Sequence, residues 1–427
     1  MNTPSHLLPL FEPIKLGSVE IKNRIALSPM AVGDGNAEGY VTEQTIAYNV
    51  ARAKGGVGLI VLGGCVSTER AWLETPYRGC YRLDIEEAVP HLRRLVDAVH
   101  ACGTKIFAEP MTSFGRLGGA HGGTTQPIAP SSVPLVIPEE SFPEIMTVPG
   151  GRVMPVPREI TVPEIVALED ETARSTVIAQ RAGFDGVEIA AHMSYLVTSF
   201  LSPLSNRRTD DYGGSFENRL RFLLNIVRKT RALVGEDYPV GVRLICNEHL
   251  AGGLSTDDCV QIGKSLEDAG VDYLSLSDGT YENQRLSVPT EDGALLEHGE
   301  PQAFKKALRI PIVVPSVHDP YLAAETVARG HADVVSLGRP LLADPEWANK
   351  TREGRVDEIR RCDRDNYCIL RLMTGLRPHC KVNPEMGRES GPYPLTLRQR
   401  LRERVILTGA TTAWLARLGH ALHLEPH

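Results

Sequence analysis

The chain has 427 residues, enough for one large domain or two to three ordinary ones. Apolar residues make up 42% and charged residues 23%, a balance that excludes a disordered chain and fits a folded protein with a sizeable core. A formal net charge of −7 gives no basic surface for nucleic acid, and none is expected as a partner.

The N-terminal stretch MNTPSHLLPLFEPIKLGS has no basic segment followed by an apolar run, so no signal peptide is expected and the cytoplasm is the expected compartment. Short aliphatic runs then alternate with helical patterns. In order they are RIALSPM (24–30), GLIVLGG (58–64), KIFAEPM (105–111), GVEIAA (186–191), PVGVRLI (239–245), DYLSLSDG (272–279), PIVVPSV (311–317) and DVVSLGR (333–339). Amphipathic segments such as EEAVPHLRRLVDAVHAC and STDDCVQIGKSLEDAG separate them. Near-continuous apolar strands with helical crossovers predict a parallel sheet covered by helices. Eight such units favour a closed (β/α)8 TIM barrel over an open sheet. No GxGxxG sequence opens a helix after any strand, which weighs against a doubly wound dinucleotide-binding domain. GGVGLIVLGGCV is too short to span a bilayer, and no membrane contact is expected.

Two segments exceed a minimal barrel. Residues 113–160 form a long Pro/Gly-rich connection between the third and fourth units, on the side where βα loops build a site. A connection of that length reads as a lid or subdomain. The second is the tail, so the expected division is a barrel over 1–350 and an extension over 351–427. In VILTGATTAWLARLGHALHL, Trp414, Leu415, Leu418 and Leu422 share one helical face, which predicts an amphipathic docking helix. A homo-oligomer formed through these C-terminal helices is the macromolecular contact the sequence suggests.

Barrel sites gather at the C-terminal ends of strands. Those ends are Ser28-Pro29-Met30-Ala31, Gly63-Gly64, Glu109-Pro110, Ala190 to Tyr195, Arg243, Ser277-Asp278-Gly279, Pro315-Ser316-Val317 and Gly338-Arg339. The small residues let backbone approach a flat ligand closely. The last two units offer backbone N–H groups and Arg339, a set suited to phosphate; an internal salt bridge is the competing role. Arg243 projects a fixed cation into the mouth, or pairs with a core carboxylate.

The segments LFEPIKLGSVEIKNRIALSPM, FLSPLSNRRTDDYGGSFENRLRF, GHADVVSLGRPLLADPEW and HCKVNPEMGRE carry a resemblance over roughly residues 10–389. The chain resembles the Old Yellow Enzyme family of FMN-dependent oxidoreductases, nearest the branch of 2,4-dienoyl-CoA reductase and trimethylamine dehydrogenase. The resemblance implies a barrel with FMN at its mouth and NADH or NADPH as hydride donor. It implies that Pro29, Met30, Ala31 and Gly64 lie against the flavin ring and that Arg243 stabilises negative charge on the reduced flavin. Gly338 and Arg339 would hold the phosphate. Two positions depart from the pattern. Pro110 stands where the family has a glutamine for the pyrimidine edge, and Glu109 could serve there with a one-residue shift. Pro315 and Ser316 replace a glycine pair; the proline removes a backbone donor that the Ser316 hydroxyl could restore.

Ene-reductases of this family carry His-x-x-His or His-x-x-Asn at the fourth strand end, followed by a tyrosine. The pair polarises a carbonyl and the tyrosine donates a proton. Aligned back from FLSP, the pair falls on Ala190 and Met193, which cannot donate. Aligned on AAH, one member remains, His192, with an inserted residue before Tyr195. Tyr195 keeps the register of the proton donor. His192 is the candidate carbonyl anchor, with a backbone-bonded structural histidine as the competing reading. Asp278 and His249 are further polar groups at strand ends.

Of eight cysteines, Cys65, Cys80, Cys102, Cys246 and Cys259 read as small buried hydrophobes. RCDRDNYCILRLMTGLRPHC resembles the four-cysteine iron–sulfur segment of the dienoyl-CoA reductase branch. Cys362, Cys368 and Cys380 match, but Asp365 stands at the second ligand position, and a carboxylate is a harder ligand. Three alternatives follow: a cluster with Asp365 as fourth ligand, a three-iron cluster, or a packed site without metal. The nucleotide-binding domain of the larger relatives is expected to be absent. The expected function is FMN-dependent, NAD(P)H-driven reduction of an activated C=C bond in a small molecule. The alternatives are oxidative demethylation or dehydrogenation of an amine, and a degenerate flavoprotein.

Overall fold

The computed structural model describes residues 3–119, 125–144, 150–392 and 400. Eight parallel strands form the core: β1 (Ile25–Leu27), β2 (Leu59–Val66), β3 (Lys105–Met111), β4 (Gly186–Ala191), β5 (Val240–Ile245), β6 (Tyr273–Ser277), β7 (Ile312–Pro315) and β8 (Val334–Leu337). Each pairs with its neighbours in chain order, and β8 pairs back onto β1, so the sheet closes. Every run expected as a strand is one.

Alternation along these strands builds two cores. Ile25, Ile60, Ile106, Val187, Val242, Leu274, Val314 and Val335 face the outer helices. Ala26, Leu59, Val61, Phe107, Tyr273, Val313 and Val334 fill the barrel interior at its N-terminal end. Both faces of each strand are therefore buried, which is why the runs read as nearly continuous apolar sequence. The outer layer is α1 (Glu43–Lys54), α2 (Val89–His100), α3 (Val162–Ala182), α4 (Phe216–Val234), α5 (Thr256–Asp268), α6 (Glu300–Ala307) and α7 (Pro320–Ala328). Capping boxes start α1 at Thr42, α3 at Thr161 and α5 at Ser255.

An antiparallel hairpin not anticipated from the sequence, Ile14–Leu16 with Val19–Ile21, packs against the N-terminal core. It turns on Gly17 at φ 58°, where a side chain would strike Asp272. The hairpin closes that end, leaving the C-terminal end as the open face.

Within residues 113–160 two small pairings form, Ile128–Ala129 with Arg158–Glu159 and Val136–Ile137 with Arg152–Val153. Leu117, Leu135, Ile137, Phe142 and Met154 join a third apolar cluster at the mouth, together with Tyr77, Met111, Ala190 and Tyr195. Leu370, from the helix Tyr367–Met373, joins it too, so the tail covers part of the mouth. Behind it, Glu389 reaches α1 and pairs with buried Arg52 at 2.5 Å. The docking helix around Trp414 and the oligomer contact inferred for it lie outside the described residues. No helix among the described residues is long and apolar enough to cross a membrane.

Candidate active site at the barrel mouth

Above the apolar plug the interior turns polar. Glu109 on β3, Glu188 on β4 and Arg243 on β5 form the next layer, and the Tyr273 hydroxyl donates to Glu188 Oε2 at 3.1 Å. Four buried atoms here have no hydrogen-bond partner: Glu109 Oε1, Glu188 Oε1, Arg243 Nε and His192 Nδ1. Folded proteins rarely leave such groups bare, because each costs about 1–3 kcal/mol of desolvation. Four together mark a surface shaped for a polar ligand.

Burial sets their protonation. It pushes Glu109 up to about 8, opposed by the Arg243 cation and reinforced by Glu188. Burial also raises Glu188, and Arg243 opposes that shift as well. At neutral pH Glu109 therefore holds a proton and can donate as well as accept. His192 is driven well below the usual histidine range, first by burial and then by Arg243, so its imidazole is neutral with one N–H to give. Arg243 is the cation of the layer, acting on the Glu109 and Glu188 carboxyls while its Nε has no hydrogen-bond partner.

β4 ends at Ala191, so His192 is the first residue beyond the strand and Met193 turns the chain at φ 55°. The left-handed Met193, followed by Ser194, links His192 to Tyr195. Tyr195 then caps the helix Leu196–Leu201. Its ring meets His192 edge-on at 5.2 Å and Phe114 at 5.6 Å. Its hydroxyl lies 3.2 Å from that of Tyr77 and 2.9 Å from that of Tyr281, and Tyr77 and Tyr281 also contact each other through their hydroxyls. Burial raises all three phenols, Tyr77 and Tyr195 well above the ordinary tyrosine value, so each keeps its proton.

The remaining strand ends come together as the sequence places them. Gly63 allows β2 to touch the Pro29–Met30 backbone, since a Cβ there would lie 2.3 Å from Met30 N. Gly64 sits at φ 75° against Ala31. Met30 in turn packs on Gly338, and Ser28 Oγ bonds Ser336 Oγ at 2.6 Å. Ser316 holds φ 65°, a conformation that favours glycine, so a serine sits here in a glycine's backbone geometry. Arg339 spends two donors internally, on Asn366 Oδ1 and the Pro289 carbonyl, both at 2.7 Å.

Arg339 also lines a pocket with Cys362, Cys368, Cys380 and Asp365. Burial raises all three thiols, Cys368 up to about 12, so they are protonated without a metal. Asp365 pairs with Lys381 at 2.5 Å and accepts from the Tyr367 N–H. The donor set is one thiolate short of a four-cysteine cluster, and the carboxylate at the second position is already engaged.

Tyr77, Tyr281, Phe114, Glu188 and Leu370 escaped the sequence reading. Tyr281 lies just past a strand end, in SLSDGTYENQ, and Tyr77 lies in the loop after β2, TPYRGCY. For Phe114 and Tyr281, an aromatic residue within a few positions of a strand end was the available signal; Tyr77, beyond the helix Glu69–Glu74, carried none.

A family model described as "NADH:flavin oxidoreductase / NADH oxidase family" matches residues 9–358. The chain is 37% identical to an NADH oxidase of Thermoanaerobacter brockii, over 98% of this chain and 63% of that protein. It is 33% identical to a cinnamate reductase of Clostridium sporogenes, over 94% of this chain and 61% of that protein. Among solved structures it resembles 2-naphthoyl-CoA reductase in complex with 2-naphthoyl-CoA, with a TM-score of 0.82 and 30% identity over 90% of this chain and 58% of that one. The chain thus spans less than two thirds of the length of each. A barrel closed in strand order, a polar layer at its open end and a match over residues 9–358 lead to one conclusion: the chain belongs to the NADH:flavin oxidoreductase / NADH oxidase family.

Proposed function

We propose that the chain binds FMN at the barrel mouth and reduces an activated C=C bond with electrons from NADH or NADPH, Tyr195 supplying the proton. The observation that carries this reading is the Tyr195 hydroxyl, buried beside His192 and hydrogen-bonded to two further phenols. The residues present suit a flavin. Gly63 and Gly64 draw β2 against Pro29, Met30 and Ala31, and a flat ring would lie on the segment so formed. Glu109, Arg243 and His192 hold unpartnered polar atoms for its edge or for a substrate oxygen. Ser316, Gly338 and Arg339 are the phosphate candidates.

When bound, the flavin supplies the hydride-transfer chemistry. The protein's residues do the rest. Arg243 offsets negative charge at the ring's polar edge. Protonated Glu109 gives and accepts hydrogen bonds there. Neutral His192 donates its N–H to a substrate carbonyl, drawing electron density from the alkene. Tyr195, still protonated, delivers its proton to the carbon next to that carbonyl, and Tyr77 or Tyr281 is placed to replace it. Phe114 and Leu370 help keep water out. The cysteine pocket has no part in this sequence.

The test is anaerobic mixing of the flavin-loaded protein with NADH and NADPH, then with 2-cyclohexen-1-one and cinnamate. Bleaching by a nicotinamide and reoxidation by an unsaturated carbonyl are expected; no bleaching by either nicotinamide overturns the reading. One observation favours a second reading. The edge-on rings of Tyr77, Phe114, Tyr195 and Tyr281 are a lining suited to a cationic amine. Flavin reduction by an N-methylated amine with no nicotinamide present would favour oxidative demethylation.

A further inference from the structure

Two loops beyond the mouth bring together groups that the proposed reaction does not use. After β5 the chain presents His249, after β6 it presents Asp278, and the segment entering α6 presents His298 and Glu300. One ligand atom each from His249, His298 and Glu300 lies within 4.8 Å of the other two. Asp278 joins two of them: Oδ1 is 2.7 Å from His249 Nε2 and Oδ2 is 3.7 Å from His298 Nδ1. Glu300 Oε1 is 3.8 Å from His249 Nε2 and accepts from Asn247 Nδ2 at 3.4 Å.

We propose that His249, His298 and Glu300, with Asp278 as fourth donor, form a binding site for a divalent transition cation of the zinc type. An ordinary pair of surface ion contacts would explain the histidines but not Glu300. Its residue is 3% exposed, and its Oε2 is buried with no hydrogen-bond partner. A carboxylate withdrawn from water with a bare oxygen is costly unless a cation joins it. The donor chemistry selects the cation. Two imidazoles and carboxylates suit zinc or its first-row neighbours, whereas calcium and magnesium take oxygen donors. Tetrahedral zinc with bonds of about 2.0–2.2 Å spaces its donors roughly 3.4 Å apart. The separations of 2.7, 3.7 and 3.8 Å, with the 4.8 Å bound on the three ligand atoms, bracket that spacing, and the histidine side chains, 22% and 40% exposed, have room to adjust.

The site ties the β5 loop to the segment carrying Tyr281. Gly279 N already bonds the Asn247 carbonyl at 3.1 Å, and Asn283 Nδ2 bonds the Glu248 carbonyl at 2.6 Å. A bound cation would add a coordinate link to these two. The inference does not depend on the reaction proposed above.

The experiment is calorimetric titration of Zn²⁺ into the purified flavin-loaded protein, comparing wild type, His298→Ala, Glu300→Gln and Cys368→Ser. One equivalent bound by wild type and by Cys368→Ser, at least tenfold weaker in His298→Ala and Glu300→Gln with flavin content unchanged, is expected. His298 is half-exposed, so its variant leaves the fold intact. Zinc-edge X-ray absorption on the wild type gives a second readout: nitrogen and oxygen ligation supports the site. No uptake by wild type, uptake unaffected by His298→Ala, or sulfur ligation lost in Cys368→Ser overturns it.

Discussion

The phenol oxygens of Tyr195 and Tyr281 lie 2.9 Å apart although 86 residues separate them in the chain. Tyr77, from the loop after β2, completes the triangle. Three strand ends thus deliver hydroxyls to one buried point. None ionises readily there, because burial penalises each phenolate. The cluster is a set of protonated donors and acceptors, able to hand a proton out at one phenol and draw one in at another.

Tyr195→Phe keeps the ring and removes the donor. Reoxidation of reduced flavin by an unsaturated carbonyl is expected to slow by roughly 10²–10⁴, while bleaching by the nicotinamide is unchanged. Tyr281→Phe removes its hydrogen bonds to Tyr195 and to Tyr77, of which only the first touches the donor; that one is worth about 0.5–1.5 kcal/mol, so a loss of roughly tenfold or less is expected. Stopped-flow traces of both half-reactions decide it. Equal losses in the two variants would show that the proton does not leave through Tyr195.

The barrel was legible because its strands are buried on both faces and its helices carry capping signals. The N-terminal hairpin was not, because strands of three residues are too short to show a period. His192 and Tyr195 could be singled out at a strand end, but the left-handed Met193 between them is a backbone state that sequence does not announce. Ser316 shows the reverse: the substituted glycine position was visible, and its φ of 65° explains why glycine suits it. The tyrosine cluster stayed hidden because it is a contact between residues far apart in the chain. So did Leu370, which reaches the mouth from the tail.

Glu109 makes stability depend on pH. Its carboxyl is raised from 4.5 to about 8 by burial, so the folded protein holds a proton that the unfolded chain has released. Where the folded state binds more protons, stability falls as pH rises. The contribution is fully present below about pH 4.5 and is lost as pH climbs through about 8. Glu109→Gln, neutral throughout, is expected to lack this slope. Urea midpoints of the flavin-free wild type and variant, measured from pH 5 to about 9, should converge in acid and separate in base with the variant more stable. Parallel curves would place Glu109 in an ionised state that Arg243 fully compensates.

Arg52 and Glu389 hold the tail to the barrel. Arg52 is fully buried on α1 and donates to the carbonyls of Leu341 at 3.1 Å and Tyr48 at 3.0 Å. Its guanidinium lies over the Tyr48 ring at 3.8 Å. The Glu389 carboxylate is its counter-ion, fixed in turn by Gln44 Nε2 at 2.5 Å and the Gly387 N–H at 2.9 Å. Removing one partner of a buried ion pair strands the other, at a cost of about 3–5 kcal/mol, whereas replacing both by apolar groups is often nearly neutral. Glu389→Ala is therefore expected to lower unfolding stability by about that amount, and the double variant Arg52→Met/Glu389→Leu by clearly less. Leu341 sits in the short helix Arg339–Ala343, so a loosened Arg52 also frees the backbone behind Arg339. FMN affinity should drop in Glu389→Ala and recover in the double variant. Denaturant unfolding of the flavin-free proteins, with fluorescence titration of FMN, measures both. A single variant as stable as wild type would mean that water reaches Arg52 once Glu389 is gone, and that the tail is fastened elsewhere.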